Sequence, residues 1–324
     1  MEYRQLGSSG LKVSVLGLGG NVFGQHESFQ HYVDEAGTHA ILDRATDLGV
    51  SFIDTADMYS NGVSETYLGK ALAGRRDHFI IASKVGLPVG EDPNQAGLSR
   101  GHIIDSIEDT LRRLGTDYVD LYYAHRPDPT TPIEETLRCF DDLVRQGKVR
   151  YVGCSNFAGW QIAVARGVTE RRGYSPFVVS QSPYNLFERS LENEIAPCCS
   201  EYGMGLVVYS PLAQGVLTGK YRPGKPIPPA TRAWKNPDGG IAAYMRGERL
   251  SAVPKLEAWA RDHGHRVGEL AIAWAAVKPL VCSVLTGVTS IAQLEANVRA
   301  TNWKLTQDEV REVEDMVASV ARLK

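Results

Sequence analysis

The chain has 324 residues, 43% of them hydrophobic and 23% charged, with 35 Lys+Arg against 38 Asp+Glu and a formal net charge of −3. That is room for one large α/β domain or two ordinary ones, in the composition range of a soluble globular protein. The balance argues against a general nucleic-acid binder, no apolar run approaches membrane-spanning length, and Met1-Glu-Tyr-Arg-Gln carries no signal-peptide pattern. The five cysteines form no CxxC and cannot all pair, so they read as reduced thiols of a cytoplasmic protein.

Along the chain, short β-branched runs alternate with helical periods. After a turn at Gly7-Ser-Ser-Gly10, the run Val13–Gly19 predicts a buried strand. Ser51–Asp54, Phe79–Lys84, Tyr118–Ala124, Val149–Ser155, Phe177–Ser182, Leu206–Tyr209 and Cys282–Leu285 predict seven more. Ile103, Ile104, Ile107, Leu111 and Leu114 mark one face of a helix over 100–114, stopped by Gly115. Thr131-Pro-Ile-Glu134 predicts a capping box opening a helix that runs to about Gln146, and Thr306-Gln-Asp-Glu309 a second one opening a C-terminal helix. Eight strand–helix units with short connections imply parallel strands and right-handed crossovers. The expectation is one closed (β/α)8 barrel domain over residues 1–324, with an extra C-terminal helix. The prolines of 218–250 predict a long irregular loop after strand seven. An open doubly wound sheet is the competing arrangement.

Familiar nucleotide cradles are missing. Gly17-Leu-Gly19-Gly20-Asn-Val22 has valine at the third glycine of a dinucleotide fingerprint, and Gly215-Val-Leu-Thr-Gly219-Lys220 lacks P-loop spacing. His263-Gly-His265 and the pair His26 and His31 have no further ligand pattern, so no metal site is expected.

The chemistry collects at the strand ends, which in a parallel barrel converge on one mouth. Asp54, Lys84, His125, Ser155-Asn156, Gln181 and Tyr209-Ser210 are polar groups ending otherwise apolar runs. A lysine closing a buried run needs a partner, and Asp54 is the natural counter-ion. Tyr59 lies within loop reach. An ammonium beside a phenol favours the phenolate, so the set predicts a tyrosine acid with a lowered pKa, His125 bonding the substrate oxygen, and carbonyl reduction as the reaction.

Asp54-Thr-Ala-Asp-Met-Tyr59, the strand-end Lys84 and His125 in Tyr123-Ala-His-Arg-Pro resemble the catalytic tetrad of the aldo-keto reductases. Val152-Gly-Cys-Ser-Asn156, Gln181 and Tyr209-Ser-Pro-Leu-Ala-Gln-Gly215 resemble that superfamily's cofactor segments. Arg126-Pro-Asp-Pro-Thr-Thr-Pro-Ile-Glu-Glu-Thr and Gly219-Lys-Tyr are most similar to bacterial reductases related to potassium-channel β subunits. The resemblance implies an aldehyde or ketone reductase using NADP(H), with NAD(H) as the alternative, on a small-molecule carbonyl substrate. It implies Asp54, Tyr59, Lys84 and His125 as the tetrad, Tyr59 donating the proton. Ser155, Asn156 and Gln181 would hold the nicotinamide amide, with Gly20, Asn21 and Asp54 near that ring and Tyr209 stacked on it. Ser210, Pro211, Leu212, Ala213, Gln214 and Lys220 would follow the pyrophosphate, and Gly287, Thr289, Gln293 and Asn297 the adenosine. Lys220 and Arg232 match a lysine and an arginine that approach the phosphates in the channel-subunit-like branch, whereas Ser290 stands where many relatives carry an arginine and Ala296 where many carry glutamate, two departures from the family pattern.

Substrate contacts are expected from Val22, Phe23, Met58, Tyr59, the loop around Leu87-Pro88-Val89, His125, Arg126 and the 218–250 segment. Two other functions compete. One is a redox-sensing interaction protein of channel-β-subunit type. The other is an aldolase with Lys84 as Schiff-base nucleophile, which Asp54 opposes by raising the lysine pKa.

Overall fold

The computed structural model describes residues 1–24, 32–245 and 247–321. An antiparallel hairpin, β1 (Tyr3–Gln5) and β2 (Lys12–Ser14), precedes eight parallel strands. These are β3 (Leu16–Gly19), β4 (Phe52–Asp54), β5 (Ile80–Val85), β6 (Val119–Ala124), β7 (Val149–Ser155), β8 (Phe177–Pro183), β9 (Gly205–Tyr209) and β10 (Val281–Thr286). They pair in chain order, and β10 closes on β3 with Val284 opposite Leu16. The expected (β/α)8 barrel is therefore the fold.

Helices α1 (Glu35–Asp47), α2 (Val63–Leu72), α3 (Arg100–Leu114), α4 (Ile133–Arg145), α5 (Gly159–Arg172) and α6 (Ile195–Glu201) follow the first six barrel strands. After β9 come α7 (Arg232–Lys235), α8 (Ala242–Met245), α9 (Glu248–Asp262) and α10 (Val267–Ala276). Then α11 (Ile291–Ala300) follows β10, and α12 (Gln307–Asp315) is the extra C-terminal helix. No described helix is long and apolar enough to cross a membrane.

The expected strand Val13–Gly19 is two strands, and Ser14 is the reason. Its hydroxyl donates to the Leu16 carbonyl at 2.6 Å and accepts from the Ser51 and Phe52 amides at 3.0 and 3.2 Å, which replaces ladder bonds at the joint. The hairpin then turns under the barrel. Fully buried Leu6 and Val13 pack with the interior side chains Phe52, Ala82, Leu121, Tyr123, Val179 and Val207. Gly7, at φ +60°, lies so close to the strand starts that a Cβ there would sit 2.5 Å from the Val178 carbonyl oxygen. The hairpin seals the N-terminal end of the barrel, so space for a ligand opens at the other end.

The α3 face is as expected, with Ile103, Ile107, Leu111 and Leu114 buried, Ser99 capping the start and Gly115 ending the helix at φ 62°. Thr306 and Glu309 form the expected reciprocal cap of α12. The capping box at Thr131 does not form. Thr131 donates to Asp128 at 2.7 Å, Pro132 takes the N-cap position, and Glu134 pairs with Arg172. The irregular 218–250 segment is also shorter than its prolines imply. Thr231 caps the turn α7, α8 adds another, and α9 begins at Glu248 and carries Pro254 in its first two turns.

Removing the floor contact tests this arrangement. Leu6→Ala empties a buried site between hairpin and barrel and is expected to cost about 2–4 kcal/mol of unfolding free energy in urea titrations. A loss below about 1 kcal/mol would mean that the hairpin is not part of the core.

Candidate active site

The strand ends deliver their polar groups to one mouth. Asp54 ends β4, Lys84 is the penultimate residue of β5, His125 follows β6, Ser155 ends β7 and Tyr209 ends β9. Lys84 is fully buried and its ammonium has three acceptors for three N–H bonds. These are Asp54 Oδ1, the Thr55 carbonyl at 2.8 Å and Tyr59 Oη at 3.3 Å. Gln181 Nε2 donates to the other Asp54 oxygen at 2.7 Å, so a continuous chain runs Gln181–Asp54–Lys84–Tyr59.

Tyr59 is held by an unusual turn. Ser60, Asn61 and Gly62 follow it at φ 50°, 53° and 84°, three left-handed residues in a row. The Ser60 hydroxyl donates to the Phe23 carbonyl at 3.1 Å, which anchors the turn to the segment after β3. Gly24 lies against it, where a Cβ would come within 2.7 Å of Ser60 Cβ.

Burial sets the electrostatics. It works against the Lys84 ammonium, but Asp54 and Tyr59 outweigh it and hold the lysine above its usual pKa. The Tyr59 phenol is raised, chiefly by burial, with Lys84 pulling it down and Asp54 pushing it up. This departs from the expected lowered value. Desolvation takes more from a phenolate than one ammonium shared with a carboxylate returns. His125 is driven down to about 2 by burial and then by Lys84 and Arg126, so it is a neutral imidazole at physiological pH. Its ring meets Tyr59 edge-on at 5.9 Å.

Next to His125 the wall is built from amides and an aromatic ring. Asn156, itself at φ 61°, donates from Nδ2 to the His125 carbonyl at 3.0 Å and to Ser155 Oγ at 2.9 Å. Its Oδ1 accepts from Tyr209 Oη at 2.8 Å, which fixes that ring over the mouth. Beyond Tyr209 the chain is again left-handed at Ser210, Ala213, Gln214 and Gly215. Lys220 lies back over Gly215, where a Cβ would come 3.1 Å from its Nζ. Arg232 is largely buried, and burial lowers its pKa against Tyr221 and Tyr32; it is not a solvated loop residue.

These groups line one cavity of about 1120 Å³. Of the residues singled out in the sequence, Asn21, Asp54, Met58, Tyr59, His125, Arg126, Ser155, Asn156 and Gln181 lie on its wall. So do Tyr209, Ser210, Pro211, Leu212, Gln214, Lys220, Arg232, Gly287, Thr289, Gln293 and Asn297. Four do not reach it. Lys84 sits behind Asp54 and Tyr59, Gly20 packs on Thr55 and Ser64, and Phe23 and Ala213 are buried in the core. The loop around Leu87-Pro88-Val89 is likewise off the wall, with Val89 44% exposed. His26 and His31 lie outside the described residues; among those described, no cluster of three or more His, Cys, Asp or Glu suits a metal ion.

The expected 218–250 segment reaches the wall through Asn236 and Ile241, and the cavity also has lining outside every expected segment: Tyr32, Ser60, Arg266 and Glu269. Asn236 and Ile241 belong to the proline-rich segment, whose path no periodicity reveals. Arg266 left a signal, because it stands at a helix N-cap where Ser, Thr, Asp or Asn is preferred.

The closed parallel barrel with polar groups at one mouth makes this an α/β-barrel protein, and the chain is a member of the Aldo/keto reductase family, which it matches over residues 15–318. It is 39% identical to a probable voltage-gated potassium channel subunit beta of Oryza sativa subsp. japonica, over 98% of this chain and 97% of the relative. It is 34% identical to the uncharacterized oxidoreductase YrpG of Bacillus subtilis (strain 168), over 98% and 96%. With the versiconal hemiacetal acetate reductase of Aspergillus parasiticus it shares 32% identity, over 97% and 96%.

The depressed His125 pKa has a consequence for stability. Below the unfolded imidazole value of about 6.5, the unfolded chain takes up a proton that the folded one refuses, so stability is lost as pH falls from there. From pH 7 to pH 5 the wild type is expected to lose about 2 kcal/mol more than His125→Asn in urea denaturation. Equal acid limbs for the two proteins would show that His125 protonates in the folded state.

Proposed function

We propose that this protein is an NADP(H)-dependent oxidoreductase of the cytoplasm, built as one barrel domain, that reduces a small aldehyde or ketone to its alcohol with Tyr59 as general acid. The observation carrying this reading is the buried chain Gln181–Asp54–Lys84–Tyr59 ending at a phenol on the cavity wall beside a neutral imidazole.

The residues present fit the cofactor. The cavity wall takes in both Tyr59 and residues of α11, and its donors change from one part to the other. Ser155, Asn156 and Gln181 offer hydroxyl and amide groups near Tyr209, whose ring presents an aromatic face. Asn156 and Gln181 each already spend part of their amide on the protein, on Tyr209 and Asp54, so they also fix the wall itself. The 210–214 turn with Lys220 and Arg232 suits phosphates, and Thr289, Gln293 and Asn297 suit a ribose and purine. When bound, the dihydronicotinamide supplies a hydride to the carbonyl carbon.

The protein's own work is proton transfer and charge placement. Tyr59 Oη gives its proton to the oxygen of the reacting carbonyl as negative charge develops there. Lys84 donates to that same Oη and stabilises the phenolate left behind, while Asp54 holds the ammonium in place. A raised phenol pKa keeps Tyr59 protonated until the oxygen becomes basic enough to take the proton. His125, being neutral, adds a hydrogen bond to the substrate oxygen without a second cation beside Lys84. Met58 and Arg126 bound the substrate side of the mouth.

The relative named as a channel subunit supports a second reading, a redox-sensing interaction protein that keeps its cofactor. Steady-state turnover of simple aldehydes separates the two, because a sensor would release oxidised cofactor very slowly.

Two substitutions test the main reading. Tyr59→Phe is expected to abolish turnover while leaving the Kd for NADPH nearly unchanged, since the acid acts only in the chemical step. Full activity would sink the assignment of Tyr59. Wild type is expected to prefer NADPH to NADH in kcat/KM, and Arg232→Ala to lose at least about tenfold of that preference, or about 1.4 kcal/mol. A wild type preferring NADH would remove NADP(H) from the proposal, and an unchanged preference in the variant would remove Arg232 from phosphate reading.

A further inference from the structure

We infer that Asp57, buried behind the turn that holds Tyr59, is a positioning residue for the catalytic acid: it rests as a neutral carboxylic acid, and its loss of a proton makes Tyr59 a weaker acid. Asp57 lies outside the tetrad and off the cavity wall, and its role here rests on the reading of Tyr59 as general acid.

One cation stands behind that turn for two buried carboxyl groups. Glu65 on α2 is fully buried and fully partnered: Arg113 Nε donates to one oxygen at 2.7 Å and Ser83 Oγ to the other at 2.6 Å. The rest of the Arg113 guanidinium reaches Asp109 at 3.7 Å. Asp57 is left over. It is 3% exposed, neither of its oxygens has a hydrogen-bond partner, and among the described residues it has no ion pair. A carboxylate so placed is costly, and holding a proton removes the cost. Its surroundings offer hydroxyl groups and no free cation. On α3, His102, Ser106 and Thr110 lie buried one turn apart, and β6 adds Tyr122. The Thr110 and Tyr122 hydroxyls and His102 Nε2 are also without partners, and Ser106 Oγ lies 3.5 Å from His102 Nδ1. Burial and then Glu65 push the Asp57 carboxyl up to about 7, against the Met58 amide, Arg113 and Ser106, so it changes charge near neutral pH.

The backbone carries this charge to the site. The Asp57 amide donates to the Lys84 carbonyl at 3.2 Å, and two residues on the chain reaches Tyr59, whose amide donates to the Ala56 carbonyl at 3.1 Å. Arg113 lies against Gly62 in the same left-handed turn, where a Cβ would come 2.8 Å from its Cδ. The charged and titratable groups around Asp57 and Tyr59 are therefore Glu65 from α2, His102 and Arg113 from α3, Lys84 from β5, Tyr122 from β6, and Asp54 from β4. Burial is the main cause of the raised Tyr59 phenol, and an ionised Asp57 adds to it. As pH rises, the Asp57 proton leaves to bulk base and a negative charge appears behind the phenol. The phenolate that proton donation leaves behind is then disfavoured, and reduction slows.

The test reads the carboxyl and the chemical step separately. In protein labelled with carbon-13 at its aspartate carboxyls, without cofactor, the resonance lost in Asp57→Asn is expected to titrate at about 7. In single-turnover hydride transfer from NADPH to a simple aldehyde, the wild-type rate is expected to fall at least about threefold from about pH 6 to about pH 8.5, and the Asp57→Asn rate less than about 1.5-fold. Asp57→Ser, smaller and uncharged, is expected to show the same flat profile, so a packing defect in one variant does not decide the outcome. A carboxyl raised in the folded state costs stability as pH rises through its folded value, so at about pH 8.5 Asp57→Asn is expected to match or exceed the wild-type Tm. A merely structural Asp57 would lower the Tm at both pH values on substitution and leave the shape of the rate profile unchanged, which would overturn the inference. A resonance titrating in the usual carboxylate range would overturn it too, leaving Tyr59 as the acid. A wild type that transfers no hydride would overturn the reductase reading and this inference together.

Discussion

The site depends on one buried ammonium. Lys84 has no access to water, and an unpaired charge in that position would be far more costly than the fold could bear. Its demand for three acceptors dictates the neighbourhood. Asp54 must end β4 next door, the chain must present the Thr55 carbonyl, and the turn after it must bring Tyr59 back. Asp54 then needs Gln181 from the opposite side of the barrel for its second oxygen. The register that places Asp54 beside Ala82 on β5 and Lys84 beside Tyr123 on β6 is the backbone expression of the same constraint.

Holding that constellation costs backbone strain, and the strain is localised. Among the described residues seven non-glycine positions have positive φ, and all except Ala230 belong to the turn after Tyr59, to Asn156, or to the 210–214 segment. Each such residue is disfavoured by roughly 1–2 kcal/mol and persists only where its surroundings over-determine it. Here the surroundings are the rigid strand ends. Ser60 is tied to the Phe23 carbonyl, Asn156 to both His125 and Tyr209, and the Ser210 carbonyl accepts from buried Asn185 at 3.0 Å.

Those same features mark how far the sequence could be read. The barrel was legible because β-branched runs with helical periods between them have few other solutions, and the strand-end polar residues were legible because each interrupted an apolar run. Asn61-Gly62 announces a left-handed turn, but nothing in Ser60 or Gln214 does, since their conformations are imposed by tertiary contacts. Phe23 and Val22 are neighbours in sequence, and only the local chain path decides that Val22 lines the cavity while Phe23 enters the core. The break at Ser14 and the idle Thr131 box share a cause. A hydroxyl has several nearby backbone and side-chain partners, and sequence does not rank them. The direction of the Tyr59 shift failed for another reason: a charge partner is visible in a sequence, whereas the depth of its burial is not.

Burial also explains why the two ends of the cavity differ. The hairpin floor closes the barrel beneath Lys84, and on the wall that holds Tyr59 and His125 burial keeps the phenol protonated and the imidazole neutral. Low polarity at that end strengthens each hydrogen bond to an oxygen gaining charge. The rest of the wall comes from the segments that follow β9 and β10, residues 210–235 and the starts of α10 and α11, and its charged groups are Lys220, Arg232, Arg266 and Glu269. Three cations against the one carboxylate leave that part of the wall cationic. A ligand that is neutral where it reacts and anionic where it is held would be oriented along the cavity by these two environments alone. The packed strand ends supply the part of the wall where the proton is held, and the segments after β9 and β10 supply its cations.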